Sequence, residues 1–452
     1  MGSGNIYPKY LLKFSNKSYF YILPYQGRLS FNLAKSVNTN MKRQSLFLMG
    51  LVLLLLSSCG REQSGELVGV LDRPGWNGIN PFGMVYVPSG TLTIGQSDQD
   101  VFSTYTQRPK SISISGFFMD DTEVTNNEYR QYVHWIRDSI AHTILGDVYT
   151  DDLTGVDKID WEMQLDYTME DLDEMYYEGD MKLSEAERTL DTRQLEYKYK
   201  WIDWKKAAGS PDVVRSQLLN EREVNVYPDT LVWIRDFSYS YNEPFTRNYF
   251  WHPAFDDYPV VGVDWQQAKA FCHWRTHIRN AYKGEDEPNT EEYRLPTETE
   301  WEWAARGGRA IAPYPWGGYY IRNAKGCLLA NFKPGRGNYP EDGGFYTVKA
   351  DAYFPNDYGL YNMAGNVSEW TETAYHPNAY HHTHDLNPDI KYDAKDDDPE
   401  SAKRKVIRGG SWKDISYYCQ TGTRNWEYQD TTKSYVGFRC ALTFLGRSIN
   451  DF

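Results

Sequence analysis

The spacing of apolar residues changes along the chain, and each change predicts an element. From Met84 to Gln96, MVYVPSGTLTIGQ alternates apolar and polar residues around Pro-Ser-Gly, the pattern of a hairpin. SISISGFFMDDTEVT keeps the period of two as far as Thr125. In NNEYRQYVHWIRDSIA the period lengthens, with Tyr129, Tyr132, Val133, Ile136 and Ile140 at helical spacing. Thr125 and Glu128 make a capping box at its start. Further on, Val260 to Val263 reads as a short buried strand feeding a helix that aligns Ala268, Phe271, Cys272 and Arg275. Thr297 with Glu300 caps another helix, which Gly307 and Gly308 stop. Beyond it, PYPWGG, GCLLANF, EDGGFYTV, DYGLYNMAGNVSEW and RGGSWKDISYYC are short and glycine-punctuated, without a tandem repeat.

The N-terminal region follows a different rule. Met41-Lys42-Arg43 precedes SLFLMGLVLLLLSS, a run of signal-peptide length and short for a membrane span. Leu56-Ser57-Ser58-Cys59-Gly60 places small residues before a cysteine, as in a lipobox, so Cys59 is expected to carry lipid. Glycine rather than aspartate at position 60 favours an outer-membrane lipoprotein on the periplasmic face. The expected organisation is a mis-assigned upstream segment at 1–40, a signal peptide at 41–58 and a tether at 59–80. One domain at 81–446 follows, with an acidic insertion at about 141–255 and a loop insertion at about 376–405, and then a tail at 447–452.

Composition narrows the function classes. With 37 Tyr and 15 Trp there is ample material for a core, and 35 Gly with 21 Pro point to a loop-rich fold. A net charge of −14, without a Lys/Arg block, argues against nucleic acid as a partner. Residues 151–200 hold 16 Asp/Glu against 6 Lys/Arg, a balance of −10, yet stay rich in Tyr, Met and Leu. That insertion reads as a solvated surface or as a docking face for a basic partner. Besides Cys59 there are Cys272, Cys327, Cys419 and Cys440, an even number that permits three disulfide pairings and shows no zinc spacing. His376, His381, His382 and His384 cluster in the second insertion, in no recognised ligand frame.

Taken together, MVYVPSGTLTIG, DDTEVTNNEY, YPVVGVDWQQAKAFC, YRLPTETEWEWAARGG, YPWG, ANF, DYGLYNMAGNVSEW, VIRGGSW and VGFRC resemble, in order, the formylglycine-generating enzyme (sulfatase-modifying factor) family. The resemblance implies an α+β fold related to C-type lectins, with little regular structure. It also implies two cysteines, five residues apart after the Gly-Gly-Ser turn, that bind copper. Here those positions hold Asp414 and Cys419, with Ser411 matching a serine of the family's pocket. Two soft thiolates suit Cu(I), whereas a carboxylate opposite one thiolate does not. No copper is therefore expected, and the centre reads as degenerate, in a chain that is not an enzyme. The resemblance further implies calcium, which takes oxygen ligands. One set is Asn331, the Phe332 carbonyl, Asp342 and the Gly344 carbonyl; the other is Asn362, the carbonyls of Gly365 and Val367, and Glu369. Read alone, Asn362, Gly365 and Glu369 are equally ordinary turn residues. Cys272 and Cys440 match a pair bridged in some family members; Cys327 and Cys419 are left as a second bridge or as free thiols.

Within that superfamily, the lipidated leader, the broken cysteine pair and the run DTLVWIRDFSYSYNEPFTRNYFWHP resemble the GldK/PorK lipoprotein family of gliding motility and type IX secretion. The function that this resemblance implies is non-catalytic: a ring of many copies under the outer membrane, with a GldN/PorN-type periplasmic partner. Its contacts are expected from the acidic insertion and its aromatic continuation to Trp251. The alternatives are a copper- and oxygen-dependent oxidase of the formylglycine-generating type, or a glycan-binding surface lipoprotein.

Overall fold

The computed structural model describes residues 80–96, 108–151, 155, 157–182, 184, 188–209, 213–237, 245–284, 287–335, 338–341 and 344–445. Cys59 with its leader and tether, Asp342 and the C-terminal tail lie outside the described residues.

Strands β1 (Met84–Val87), β2 (Gly90–Ile94), β3 (Lys110–Ile114) and β4 (Phe117–Asp120) open the domain. The expected β1–β2 hairpin does not form: β1 pairs antiparallel with β4, and β2 with β3. Trp303 supplies the reason. Its indole N–H donates to the Pro88 carbonyl at 2.8 Å, and a Cβ on Gly90 would lie 2.7 Å from its ring. The chain therefore turns a corner around a tryptophan, and the two strands enter separate sheets.

Helix α1 (Asn126–Leu145) starts at the predicted Thr125–Glu128 capping box and ends at Gly146 with φ 76°. The acidic insertion then supplies two hairpins, β5 (Val148–Thr150) with β6 (Asp157–Ile159), and β7 (Glu196–Ile202) with β8 (Leu219–Asn225). Pro259 to Val263 is buried as expected but forms no strand; it runs beside the start of α1, where Val260 N–H donates to the Val124 carbonyl at 2.9 Å. Helix α2 (Trp265–Ala281) carries a capping box of Asp264 and Gln267, and α3 (Glu298–Arg306) the predicted box of Thr297 and Glu300.

Strands β9 (Ser368–Ala374), β10 (Arg404–Arg408), β11 (Asn425–Tyr428) and β12 (Val436–Gly437) form a sheet of order β11-β10-β9-β12. The last strand, β13 (Ala441–Thr443), lies beside β4, so the C-terminal segment closes the sheet that the N-terminal one began. The main core packs α1 against α2, with Tyr129 stacked on Phe271 at 5.6 Å and Phe438 against both rings. Helix and sheet are mixed and short, as expected of an α+β domain rich in loops.

Candidate active site around Ser411, Asp414 and Cys419

The loop after β10 folds back on itself at two glycines, Gly409 with φ 90° and Gly410 with φ 68°. A Cβ on Gly410 would fall 2.7 Å from the Tyr418 carbonyl carbon, so no larger residue fits where the turn meets the backbone of Cys419. Neighbouring loops hold it in place. Gly365 N–H donates to Gly409 O at 2.9 Å, Trp412 N–H to Asn366 O at 2.9 Å, and Lys333 N–H to Asp414 O at 2.9 Å.

Inside this turn Ser411 Oγ donates to Asp414 Oδ2 at 2.5 Å. Cys419 is buried among Tyr314, Leu328, Ala330, Phe332 and Ala364. Burial pushes its thiol well above the ordinary range, and the charge of Asp414 pushes it the same way. Burial also raises Asp414, opposed by the Ser411 hydrogen bond and by Lys413. Both groups thus hold their protons more tightly than in water. Chemically this is a buried thiol within electrostatic reach of a hydrogen-bonded carboxyl. It does not fit a two-thiolate cuprous site: one of the two donors is a hard carboxylate already bonded to Ser411, and the single thiol resists ionisation.

Beneath the loop lies a charged layer that sequence reasoning missed. Glu302 accepts from Gly95 N–H at 2.8 Å, from Arg306 at 2.6 Å and from Arg408. Glu298 takes Arg424 in a two-pronged pair, with Nη2 to Oε2 at 2.9 Å. All five side chains are nearly sealed from water. Apart from the pair one helical turn apart, Glu302 and Arg306, the partners are distant in sequence, and only Arg408, at the head of RGGSW, lies beside the motif.

The residues implied for calcium separate into unequal sets. Glu369 gives both oxygens to Arg439, at 2.6 and 2.7 Å, and one of them also to Trp301 Nε1 at 2.6 Å. Asn362 points its amide N–H at Glu123 and the Ala350 carbonyl, at 3.1 and 2.9 Å. A guanidinium therefore occupies the carboxylate that the second set requires, and Gly365 and Val367 line a loop packed on Asn331 and Gly437. In the first set Asn331 Oδ1 lies where it would meet a Cβ of Gly344 at 2.9 Å, so these two residues share one small space next to Phe332.

The remaining candidates are placed as follows. Cys272 and Cys440 are buried free thiols with their Sγ atoms 3.5 Å apart, brought together from α2 and the segment before β13. Cys327 is exposed and Cys419 buried, both as free thiols. His376 and His382 face each other with rings 5.8 Å apart. Among the described residues no group of three His, Cys, Asp or Glu side chains is arranged to hold a metal, and no helix is long and apolar enough to cross a membrane.

Residues 77–444 match the sulfatase-modifying factor enzyme 1-like domain, and the chain belongs to that family. The formylglycine-generating enzyme of Bos taurus is 29% identical over 380 residues, covering 82% of this chain and 78% of its own length. The formylglycine-generating enzyme of Thermomonospora curvata is 34% identical over 194 residues, 41% of this chain and 55% of that protein. The inactive C-alpha-formylglycine-generating enzyme 2 of Bos taurus is 35% identical over 192 residues, 41% of this chain and 50% of that protein. Among solved structures, PvdO from Pseudomonas aeruginosa aligns with 83% of this chain and all of its own at a TM-score of 0.46 and 18% identity.

These relatives correct two expectations. The non-catalytic role in a secretion ring gives way, because relatives matched over most of the chain are named formylglycine-generating enzymes. The reading that the chain is not an enzyme gives way on the same finding. The second rested on position 414, and one changed ligand leaves the Gly-Gly turn and the buried Cys419 thiol in place.

Proposed function

We propose that the chain is an oxidase of the formylglycine-generating type, acting aerobically on a cysteine side chain within a peptide. The observation that carries this reading is the placement of Cys419: a buried thiol within electrostatic reach of Asp414, under a Gly-Gly-Ser turn that two neighbouring loops pin down. In this centre Cys419 supplies the sulfur, held protonated by burial and by the charge of Asp414, and Ser411 is the donor that fixes that carboxyl. No step is assigned to copper, since the donor set does not fit it. Oxygen uptake with a cysteine-containing peptide tests the reading. Uptake is expected with the wild type, absent with a serine-substituted peptide, and lost in Cys419→Ser. Folded wild-type protein that consumes no oxygen with any cysteine peptide overturns it.

We further infer a lipid on Cys59 and a periplasm-facing, outer-membrane location, supported by the leader and the small residues before that cysteine. Structural calcium at Asn331, Phe332, Asp342 and Gly344 is supported by the shared space of Asn331 and Gly344. Chelation is expected to lower the melting temperature of the wild type and to leave Asn331→Ala unmoved; an identical wild-type melt with and without chelator counts against it.

A further inference from the structure

The β7–β8 hairpin is two-faced along most of its length. Tyr197 and Tyr199 point inward, onto Tyr132, Trp135 and His273. The outward face is a ladder of opposite charges, with Lys198 on Glu223 at 2.7 Å and Lys200 on Glu221 at 3.3 Å. At its far end the pattern breaks. Ile202 stands opposite Leu219 in register, and both face water, 42% and 47% exposed. Trp204 beyond them is 71% exposed and Val214 61%. Lys205, Lys206 and Arg215 stand exposed among them.

Two properties of this end stand together. It gathers large apolar side chains that each keep 42% or more of their surface in water. Its exposed charges are Lys205, Lys206 and Arg215, with the half-buried Asp203 accepting from Lys206 N–H, in a protein of net charge −14. The combination of tryptophan, branched aliphatics and lysine or arginine is that of an interfacial anchor. Apolar groups enter the boundary between headgroups and acyl chains, and cations stay with lipid phosphates. Screening decides which charge the bilayer senses. With a Debye length of about 8 Å at physiological salt, a bilayer touching this end senses its nearest charges most strongly.

We propose that the hairpin end formed by Ile202, Trp204, Lys205, Lys206, Arg215 and Leu219 is a contact site for an anionic lipid bilayer. Its occupant is a lipid surface rather than a protein, because the local positive charge matches phosphate headgroups. The sequence also puts the domain near a membrane through Cys59, with a tether of about 20 residues reaching at most about 70 Å. The site is separate from the Cys419 pocket and from whatever that pocket oxidises.

The test uses the full chain with Cys59→Ser, which cannot be acylated, and sedimentation with vesicles of phosphatidylcholine alone or mixed with phosphatidylglycerol. Binding is expected to the mixed vesicles only, to weaken with added salt, and to shift Trp204 emission to the blue. Lys205→Gln with Lys206→Gln is expected to weaken it about thirtyfold, and Trp204→Glu comparably, with circular dichroism unchanged. Equal binding to both vesicle types, binding undiminished in the Trp204 variant, or no binding to either overturns the proposal. So does a purified protein or second copy of the chain that displaces no lipid but buries Trp204.

Discussion

The layer under the Gly-Gly-Ser turn and the outer face of the β7–β8 hairpin both set carboxylates against cations, and they differ in their access to water. Around α3, Glu302 is shared by Arg306 and Arg408, and Glu298 by Arg424, with no solvent to replace a lost partner. On the hairpin, Lys198 and Glu223 stand 61% and 43% exposed, and water competes for each of them. The number of ion pairs therefore says little about what holds the chain together. In the dry layer a missing partner leaves a charge stranded, whereas on the hairpin the same deletion returns it to water.

The largest effect expected from this contrast is at Glu302. Its replacement by alanine strands two guanidiniums and the Gly95 amide, and a cost of about 3–5 kcal/mol is expected. Urea denaturation of the variant beside the wild type measures it. The pH dependence has a definite sign. Despite burial, the two arginines hold the Glu302 carboxyl below its ordinary value. Its stabilisation is then present above the unfolded carboxylate pKa and fades as pH falls through the folded value. A variant as stable as the wild type would mean that the layer contributes packing and no net electrostatics.

What could be read from the sequence divides along the same line. Capping boxes at Thr125 and Thr297 were visible because both halves of each lie three residues apart. The Ser411, Asp414 and Cys419 cluster was visible because one short loop supplies all of it. Glu302 and Arg408 are separated by 106 positions, and Glu298 and Arg424 by 126, so neither spacing nor periodicity could join them. The β1–β2 hairpin was misread for a related reason: the corner at Pro88 is set by Trp303, more than 200 residues away. Position 414 was legible, but its consequence was not, since a residue's identity does not say how much of a pocket survives around it.

A smaller effect comes from Glu123, a sealed carboxyl that shares its guanidinium. Arg439 is taken bidentately by Glu369, so Glu123 is left with the amides of Asn362 and Asn366, each at 3.1 Å. Burial, partly offset by Arg439, pushes its pKa from 4.5 up to about 8. Below the lower value both folded and unfolded chains hold the proton; between the two values only the folded chain does. The wild type should therefore lose stability as pH rises through that window. Glu123→Gln has no proton to lose, and its denaturation midpoint should stay flat from about pH 5 to about pH 9 where the wild type falls. Parallel curves for the two proteins would show that Glu123 is ionised throughout, with Arg439 serving both carboxylates.

The smallest effect is expected at Lys198. Its ammonium makes a hydrogen-bonded pair with Glu223 at 2.7 Å, a geometry as close as several of the pairs beneath the turn. Distance alone would rank them together. Yet both groups are substantially exposed, both are well hydrated once separated, and ordering two long side chains costs entropy that the attraction roughly repays. Lys198→Met, which keeps the side-chain stem over the hairpin, should leave the melting temperature within the scatter of the wild type. Added salt should not separate the two proteins either, because screening removes an attraction that already contributes little. A clear drop in the variant's melting temperature, abolished by salt, would mean that the ladder shields the hairpin from its acidic neighbours. The exposed pair would then belong with the buried ones, and access to water would no longer be what distinguishes the two regions.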